Sequence, residues 1–195
     1  MKNEQRREQT TRLLLETAKA LLQDKSCHAI TMQDIMEKSS LSKGAIFHYV
    51  KSKDELFAWV LLDRLEELNA SFLKEAAHAP ASFEGPMSAI AGNLARLEDA
   101  GDITNKVLMY LLGREDDPAV AEALRQFYDR SASLSGEWIR KGQEQGVIRA
   151  SIDPRKTADL LVLLSLGLRV RAGFPEGGAA AEDVSDFIAA LLKAK

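Results

Sequence analysis

Leu41-Ser42-Lys43-Gly44-Ala45-Ile46-Phe47-His48-Tyr49-Val50-Lys51-Ser52-Lys53-Asp54-Glu55-Leu56 is the stretch on which the fold turns. It contains two helix starts close together. Ser42 can cap a short helix that runs to about Tyr49, and Ser52 with Glu55 forms a Ser-x-x-Glu capping box that opens the next one. The short helix is unusual for a core element. Ile46 can pack inward, while Lys43, Gly44, Ala45 and His48 fall toward the other side.

Upstream, Leu14, Ala18, Leu21 and Leu22 stand at i, i+4, i+7 and i+8, the apolar stripe of a helix spanning about residues 6–24. Thr31 then opens a second short helix, with Asp34 three residues on in a variant capping box and Ile35 and Met36 facing inward. Ser39-Ser40-Leu41 breaks it. Two short helices joined by a tight turn and preceded by a longer one make a helix-turn-helix, whose second short helix lies in the major groove of DNA. Gly44 and Ala45 would let the backbone approach base edges, Ala45 could touch a thymine methyl, and Lys43 can donate to guanine O6 and N7. Helix N-termini at Thr31, Ser42 and Ser52 would offer free N–H groups to phosphates.

Charge follows the same division. The 195 residues carry a formal net charge of −3. Residues 1–53 hold ten Lys and Arg against six Asp and Glu, a net of +4, which leaves −7 for the remainder. A cationic surface on an acidic body suits a polyanionic partner, although solvated faces can differ by chance.

Downstream, Leu56, Val60, Leu61, Leu65, Leu68 and Phe72 stripe a long fourth helix, and Ala79–Pro86 reads as the linker that ends it. Further helices are expected at about 87–99, 103–114, 118–145, 154–173 and 180–193, with Pro118 and Pro154 at first helical positions and Gly146 as a stop. Strand signals are almost absent, so the fold class is all-α: a three-helix head, 1–53, and a larger body, 54–195, in about nine helices.

Catalytic and metal chemistry have little support. His28, His48 and His78 stand apart without metal-ligand spacing, and neither a Gly-rich phosphate loop nor Gly-x-Ser-x-Gly occurs. No enzyme, cofactor or metal is expected. Glu115-Asp116-Asp117 precedes Pro118 and reads as an anionic helix start. Cys27 is the single cysteine, which rules out an internal disulfide framework and fits a small packed residue better than a thiol sensor. The longest apolar run, Leu160–Leu168, is too short for a membrane span, so the chain is expected in the cytoplasm.

The stretch from Arg12 to Leu56 resembles the DNA-binding head of the tetracycline-repressor family of bacterial regulators, most densely at Thr31–Ile35 and Leu41–Leu56. The resemblance implies an all-helical homodimer whose two heads read an inverted repeat and whose bodies bind a small molecule. Carried over by position, Gln33 occupies a second-helix site that can reach a base, and Ser42, Lys43, Gly44, Ala45 and His48 lie on the recognition surface. Phe47, Tyr49 and Lys53 fall where family members contact the phosphate backbone. Three positions depart from the family pattern: Ser40 replaces a turn glycine, Phe47 replaces a tyrosine, and Ser26 or Cys27 replaces a glycine before the second helix.

For the body, the resemblance implies a cavity enclosed by helices four to seven. Phe72, Leu94, Leu97, Val107, Met109, Tyr110, Leu111, Phe127, Tyr128, Trp138 and Ile139 could line it or equally belong to the core, with Tyr110, Tyr128, Arg114 or Arg130 for polar contacts to an apolar or aromatic effector. The Leu160–Leu168 run and the Val184, Phe187, Ile188, Leu191, Leu192 stripe could pack on each other or form a four-helix dimer interface, with Arg169 and Arg171 pairing with Asp183, Asp186 or a partner carboxylate. The expected function is an effector-released repressor binding a palindromic operator. The alternative is a helical dimeric ligand-binding or protein-interaction module that has lost operator binding.

Overall fold

The computed structural model describes residues 2–78, 83–174 and 178–194. Its helices are α1 (Lys2–Asp24), α2 (Met32–Ser39), α3 (Lys43–Phe47), α4 (Lys53–His78), α5 (Glu84–Leu97), α6 (Ile103–Leu111), α7 (Pro118–Glu144), α8 (Pro154–Arg171) and α9 (Ala181–Leu192). The described residues contain no strand, only one isolated bridge between Ile148 and Lys193. Among them, no helix is long and apolar enough to cross a membrane.

The chain forms two compact units, each assembled from two stretches of sequence. One unit joins residues 1–64 to 103–126, and the other joins 65–102 to 127–195. In the first, α1 packs on α2 and on α6. Leu14, Leu22, Ile35, Ile46, Phe57 and Leu108 are at most 2% exposed and form its core. Burying each such side chain is worth about 1.5–3 kcal/mol. The α1 stripe read from the sequence is thus the inner face of the head, and α6 completes the same core from much further along the chain.

In the second unit α5 packs against α8 and α9, around a core that includes Leu94, Ile139, Ile148, Leu168 and Ile188. Glu98 ties three helices together: its Oε1 accepts from Arg171 Nη1 at 2.8 Å and from the Ala181 backbone N–H at 3.1 Å. Arg171 therefore pairs with Glu98 and not with the Asp183 or Asp186 considered from the sequence. Arg169 is buried, its guanidinium 5.9 Å from the centre of the Phe127 ring and Nη1 donating to Ser165 Oγ at 3.2 Å. Burial pushes the Arg169 guanidinium down to about 10, so it remains charged at neutral pH. Gly142 allows a close approach, since a Cβ there would lie 2.5 Å from Ile148 Cδ1.

Most helix ends follow the caps read from the sequence. Asp153 accepts from the N–H groups of Arg155 and Lys156 at the start of α8, and Asp117 Oδ1 accepts from Ala119 N–H at the start of α7. Gly146 adopts a φ of 72° beyond the end of α7, the left-handed conformation that glycine tolerates. The expected linker at 79–86 is shorter than read. Residues 79–82 lie outside the described residues, and α5 already includes Glu84 to Pro86. Proline in a first turn removes an N–H that has no intrahelical acceptor, so it opens this helix instead of blocking it.

Candidate nucleic-acid interface

The head is held by local chemistry at each turn. Thr31 caps α2 and forms the full reciprocal box: Asp34 N–H donates to Thr31 Oγ1 at 3.1 Å, and Thr31 N–H donates to Asp34 Oδ2 at 2.7 Å. Lys25 Nζ lies 2.6 Å from Asp34 Oδ1. Lys25 and Thr31 together hold the Asp34 carboxyl well below the usual carboxylate range. At the other end of α2, Ser40 adopts φ 56°, ψ 23°. This is the left-handed geometry that the glycine of the family pattern would adopt without strain, and here a serine adopts it.

Ser42 caps α3 through Oγ, which accepts from Ala45 N–H at 3.3 Å. The helix is short and is anchored by Ile46, fully buried, and by Val50 just beyond it. The remaining side chains of this segment turn outward. Ser42, Lys43, Gly44, Phe47 and His48 are exposed, and Ala45 and Tyr49 are half-buried. Phe47 is 41% exposed, with Lys43 Nζ 5.7 Å from its ring centre, a cation–π contact that restrains both side chains. Nothing lies within 4 Å of where a Gly44 Cβ would be. Gln33 on α2 is exposed, and its Nε2 donates to Glu37 Oε1 at 2.8 Å, which steers the carboxamide along the helix.

Lys53 has a different environment from the one expected. Its Nζ donates to three carbonyls in the connection between α1 and α2: Ile30 at 2.7 Å, Cys27 at 3.0 Å and His28 at 3.4 Å. An ammonium has three donors, and all three are engaged here. Lys53 thereby fastens the α1–α2 connection to the start of α4. The neighbouring Cys27 is 4% exposed and its Sγ donates to the Lys106 carbonyl at 3.6 Å. Burial pushes its thiol up to about 11, so at neutral pH it is an unreactive packed thiol.

Two residues assigned from the sequence to a ligand cavity also belong to this unit. Tyr110 Oη donates to Asp54 Oδ1 at 2.7 Å, and Arg114 Nη1 lies 3.3 Å from Asp54 Oδ2, its guanidinium 4.4 Å from the Tyr110 ring centre. The Tyr110 ring also meets His28 edge-on at 4.8 Å and Phe57 at 5.7 Å. Burial, then the Asp54 carboxylate, raise the Tyr110 hydroxyl far above its ordinary range, so it is a fixed donor. Lys106 adds a bond to the Leu22 carbonyl at the end of α1, at 3.1 Å. α6 is thus bonded both to α1, through Lys106, and to the first turn of α4, through Tyr110. Val107 and Leu111 are buried in this unit, whereas Met109 is 43% exposed. The Phe72 side chain lies outside the described residues.

Sequence reasoning missed the Lys53 clamp and the Tyr110–Asp54 bond because their partners lie 23 to 26 and 56 residues away, beyond any local pattern. It also missed a cleft of about 550 Å³ in the head, lined by Arg7, Thr11, His48, Tyr49 and Trp59. A signal for Arg7 was present in the cationic excess of the first 53 residues. Trp59 carried no signal.

Comparison with known proteins agrees with this geometry. Residues 14–60 match the family described as bacterial regulatory proteins, tetR family. The uncharacterized HTH-type transcriptional regulator YfiR of Bacillus subtilis (strain 168) is 27% identical over 135 residues, which cover 68% of this chain and 65% of that protein's length. Among solved structures, E. coli NemR in its reduced form superposes with a TM-score of 0.75 at 16% identity, over 95% of this chain and 99% of the other. A TetR transcription regulator from Haloarcula marismortui gives 0.71 at 18%, over 95% and 100%. A regulator-like protein from Saccharomonospora viridis in complex with choline gives 0.73 at 20%, over 96% and 100%. Residues 14–60 thus match the tetR family of bacterial regulatory proteins, and the whole chain shares its fold with a solved TetR transcription regulator.

Proposed function

We propose that this protein is a dimeric, effector-released repressor whose α3 enters the major groove of a palindromic operator. The observation that carries this reading is the surface of α3. A fully buried Ile46 anchors a helix whose Lys43, Gly44, Phe47 and His48 all face solvent, on the cationic part of the chain. Lys43 supplies a donor for guanine, Gly44 and Ala45 permit close backbone approach, and Gln33 reaches a base from α2. Ser42, Phe47, His48 and Tyr49 flank the bases and contact the sugar–phosphate backbone. Lys53 acts indirectly, by holding α2 and α4 in register.

The dimer reading is supported by the second unit. Both apolar stripes are divided between two faces. Ile188 and Leu192 are buried on α9, while Phe187 is 59% and Leu191 36% exposed. On α8, Val162 and Leu168 are buried, while Leu160, Leu163 and Val170 are 54%, 50% and 47% exposed, with an exposed Gly167 among them. The outward face suits a second copy of the same pair of helices, giving a four-helix interface. A small apolar or aromatic effector in the body would favour a state in which the heads no longer match the operator. By linkage, operator must then weaken effector binding equally. A protein of the same fold carries choline, which supports a small-molecule site in this architecture.

The test is selection of duplexes from a random pool by the full chain, followed by binding of the selected sequence. The reading expects an inverted repeat bound far more tightly than random duplex, with Lys43→Ala altering the preferred bases. Uniform weak binding to every duplex would sink it and leave the module without an operator.

A further inference from the structure

The cleft beside α3 has a consistent chemistry. Arg7 and Thr11 come from α1, His48 and Tyr49 from the end of α3 and its exit, and Trp59 from α4. Among the described residues, no carboxylate lines it. Arginine and the indole N–H only donate, while the two hydroxyls and the imidazole can donate. Among the described residues, none of these five side chains has a hydrogen-bond or ion-pair partner, and His48 packs edge-on against Tyr49 with ring centres 5.3 Å apart. A concave site with five available donor groups, one of them a fixed positive charge, and no anion of its own is built for an acceptor-rich, negatively charged group. The Trp59 and Tyr49 rings add flat apolar walls, against which a sugar can pack.

We propose that this cleft seats a sugar–phosphate of the DNA backbone, with Arg7, Thr11 and Tyr49 donating to the phosphate and Trp59 forming the wall beneath the sugar. The proposal rests on the reading that α3 enters the groove. His48 and Tyr49 follow the last residue of α3 directly, so whatever strand flanks the bases read by Lys43 passes the mouth of the cleft. Arg7, Thr11 and Trp59 thereby join the DNA-binding surface, and α1 takes part in it besides packing the head. A phosphate contact carries no sequence information, so its loss affects all duplexes alike.

The experiment uses the full chain and the duplex selected as above, with salt titrations for wild type, Arg7→Gln, Tyr49→Phe and Lys43→Ala. Arg7→Gln is expected to weaken selected and random duplexes equally, by about tenfold per head, and to lower the slope of log K against log salt by about 1 per head. Lys43→Ala instead changes the base preference. Arg7 is exposed, so its replacement leaves the fold intact, which a melting curve checks. Trp59 supplies a direct probe: with Trp138→Phe it is the remaining tryptophan of the two. Its emission should change on adding duplex and stay constant in inorganic phosphate at matched ionic strength. An Arg7→Gln protein with wild-type affinity and slope, on a wild type that does bind its selected sequence, overturns the cleft and leaves the repressor reading standing. A Trp59 response to inorganic phosphate with no Arg7 effect on DNA also overturns it, in favour of a free-anion site. Absence of any selected sequence for wild type overturns both.

Discussion

Replacing Lys53 with methionine separates two roles that the sequence could not distinguish. Methionine keeps the stem and its packing but removes the ammonium, and with it the bonds to the carbonyls of Ile30, Cys27 and His28 at 2.7, 3.0 and 3.4 Å. The first two are well formed and the third is weak. A hydrogen bond to a charged group is worth about 1.5–3 kcal/mol, so the two good ones sum to about 3–6 kcal/mol. Lys53 is half-buried and the freed carbonyls can partly rehydrate, which roughly halves that figure. The expected loss is about 1.5–3 kcal/mol, localised to the α1–α2 connection. It should be read by urea unfolding, with hydrogen exchange at the Ile30 and Ile35 amides to localise it. DNA affinity should fall, but the salt slope of the remaining binding should not. If Lys53 were instead a phosphate ligand, stability would hold and the slope would drop by about 1 per head. A Lys53→Met protein with unchanged stability and protection refutes the clamp.

Three further substitutions or treatments test other parts of the account. Gly44→Ala should stabilise the head by up to about 0.5–1 kcal/mol, because the added Cβ meets nothing within 4 Å, yet weaken operator binding if the backbone approaches base edges there; parallel melting and gel-shift titrations decide it, and unchanged affinity would place Gly44 away from DNA. Ser40→Gly relieves a left-handed residue costing about 1–2 kcal/mol but adds about 0.5–1 kcal/mol of unfolded-chain entropy, so a net gain of about 0.5–1 kcal/mol in unfolding free energy is expected; a loss would show that the turn is unstrained. Cys27 should resist iodoacetamide in the native state at neutral pH and react on unfolding. Its thiol is raised to about 11, so the native state holds its proton where the unfolded chain has lost it: this contribution is complete below the ordinary thiol range and disappears as pH climbs toward 11. Rapid native labelling at neutral pH would contradict that burial.

The comparison of sequence with structure is clearest at individual residues. Thr31 with Asp34, Ser42 with Ala45 and Asp153 with Arg155 are caps between residues two or three apart, so chain connectivity already brings the partners together and the pattern can be read directly. The inward Ile46 and the outward Lys43, Gly44 and His48 follow from helical periodicity in the same way. Tyr110 and Arg114 could not be placed from the sequence, because an aromatic and a cation on a helix look alike whether they line a cavity or pack in a core. Their partner Asp54 is distant in sequence. The charge shift near residue 53 carries no signal of α6 for the same reason, since charge marks a surface and the compact unit is defined by buried contacts.

What the sequence by itself determined is therefore the helical class, the helix-turn-helix and the face of α3 turned to solvent, all set by short-range capping and by the 3.6-residue period. Tertiary structure alone decided that Lys53 holds three carbonyls, that Tyr110 is bonded to Asp54, that the apolar stripes of α8 and α9 are each split between core and surface, and that Arg7 meets Tyr49 and Trp59 around one cleft. Each of these joins groups far apart in the chain. Their proximity is established only when hydrophobic burial offsets the entropy of closing the intervening loops, and no local pattern records which distant partners that closure will bring together.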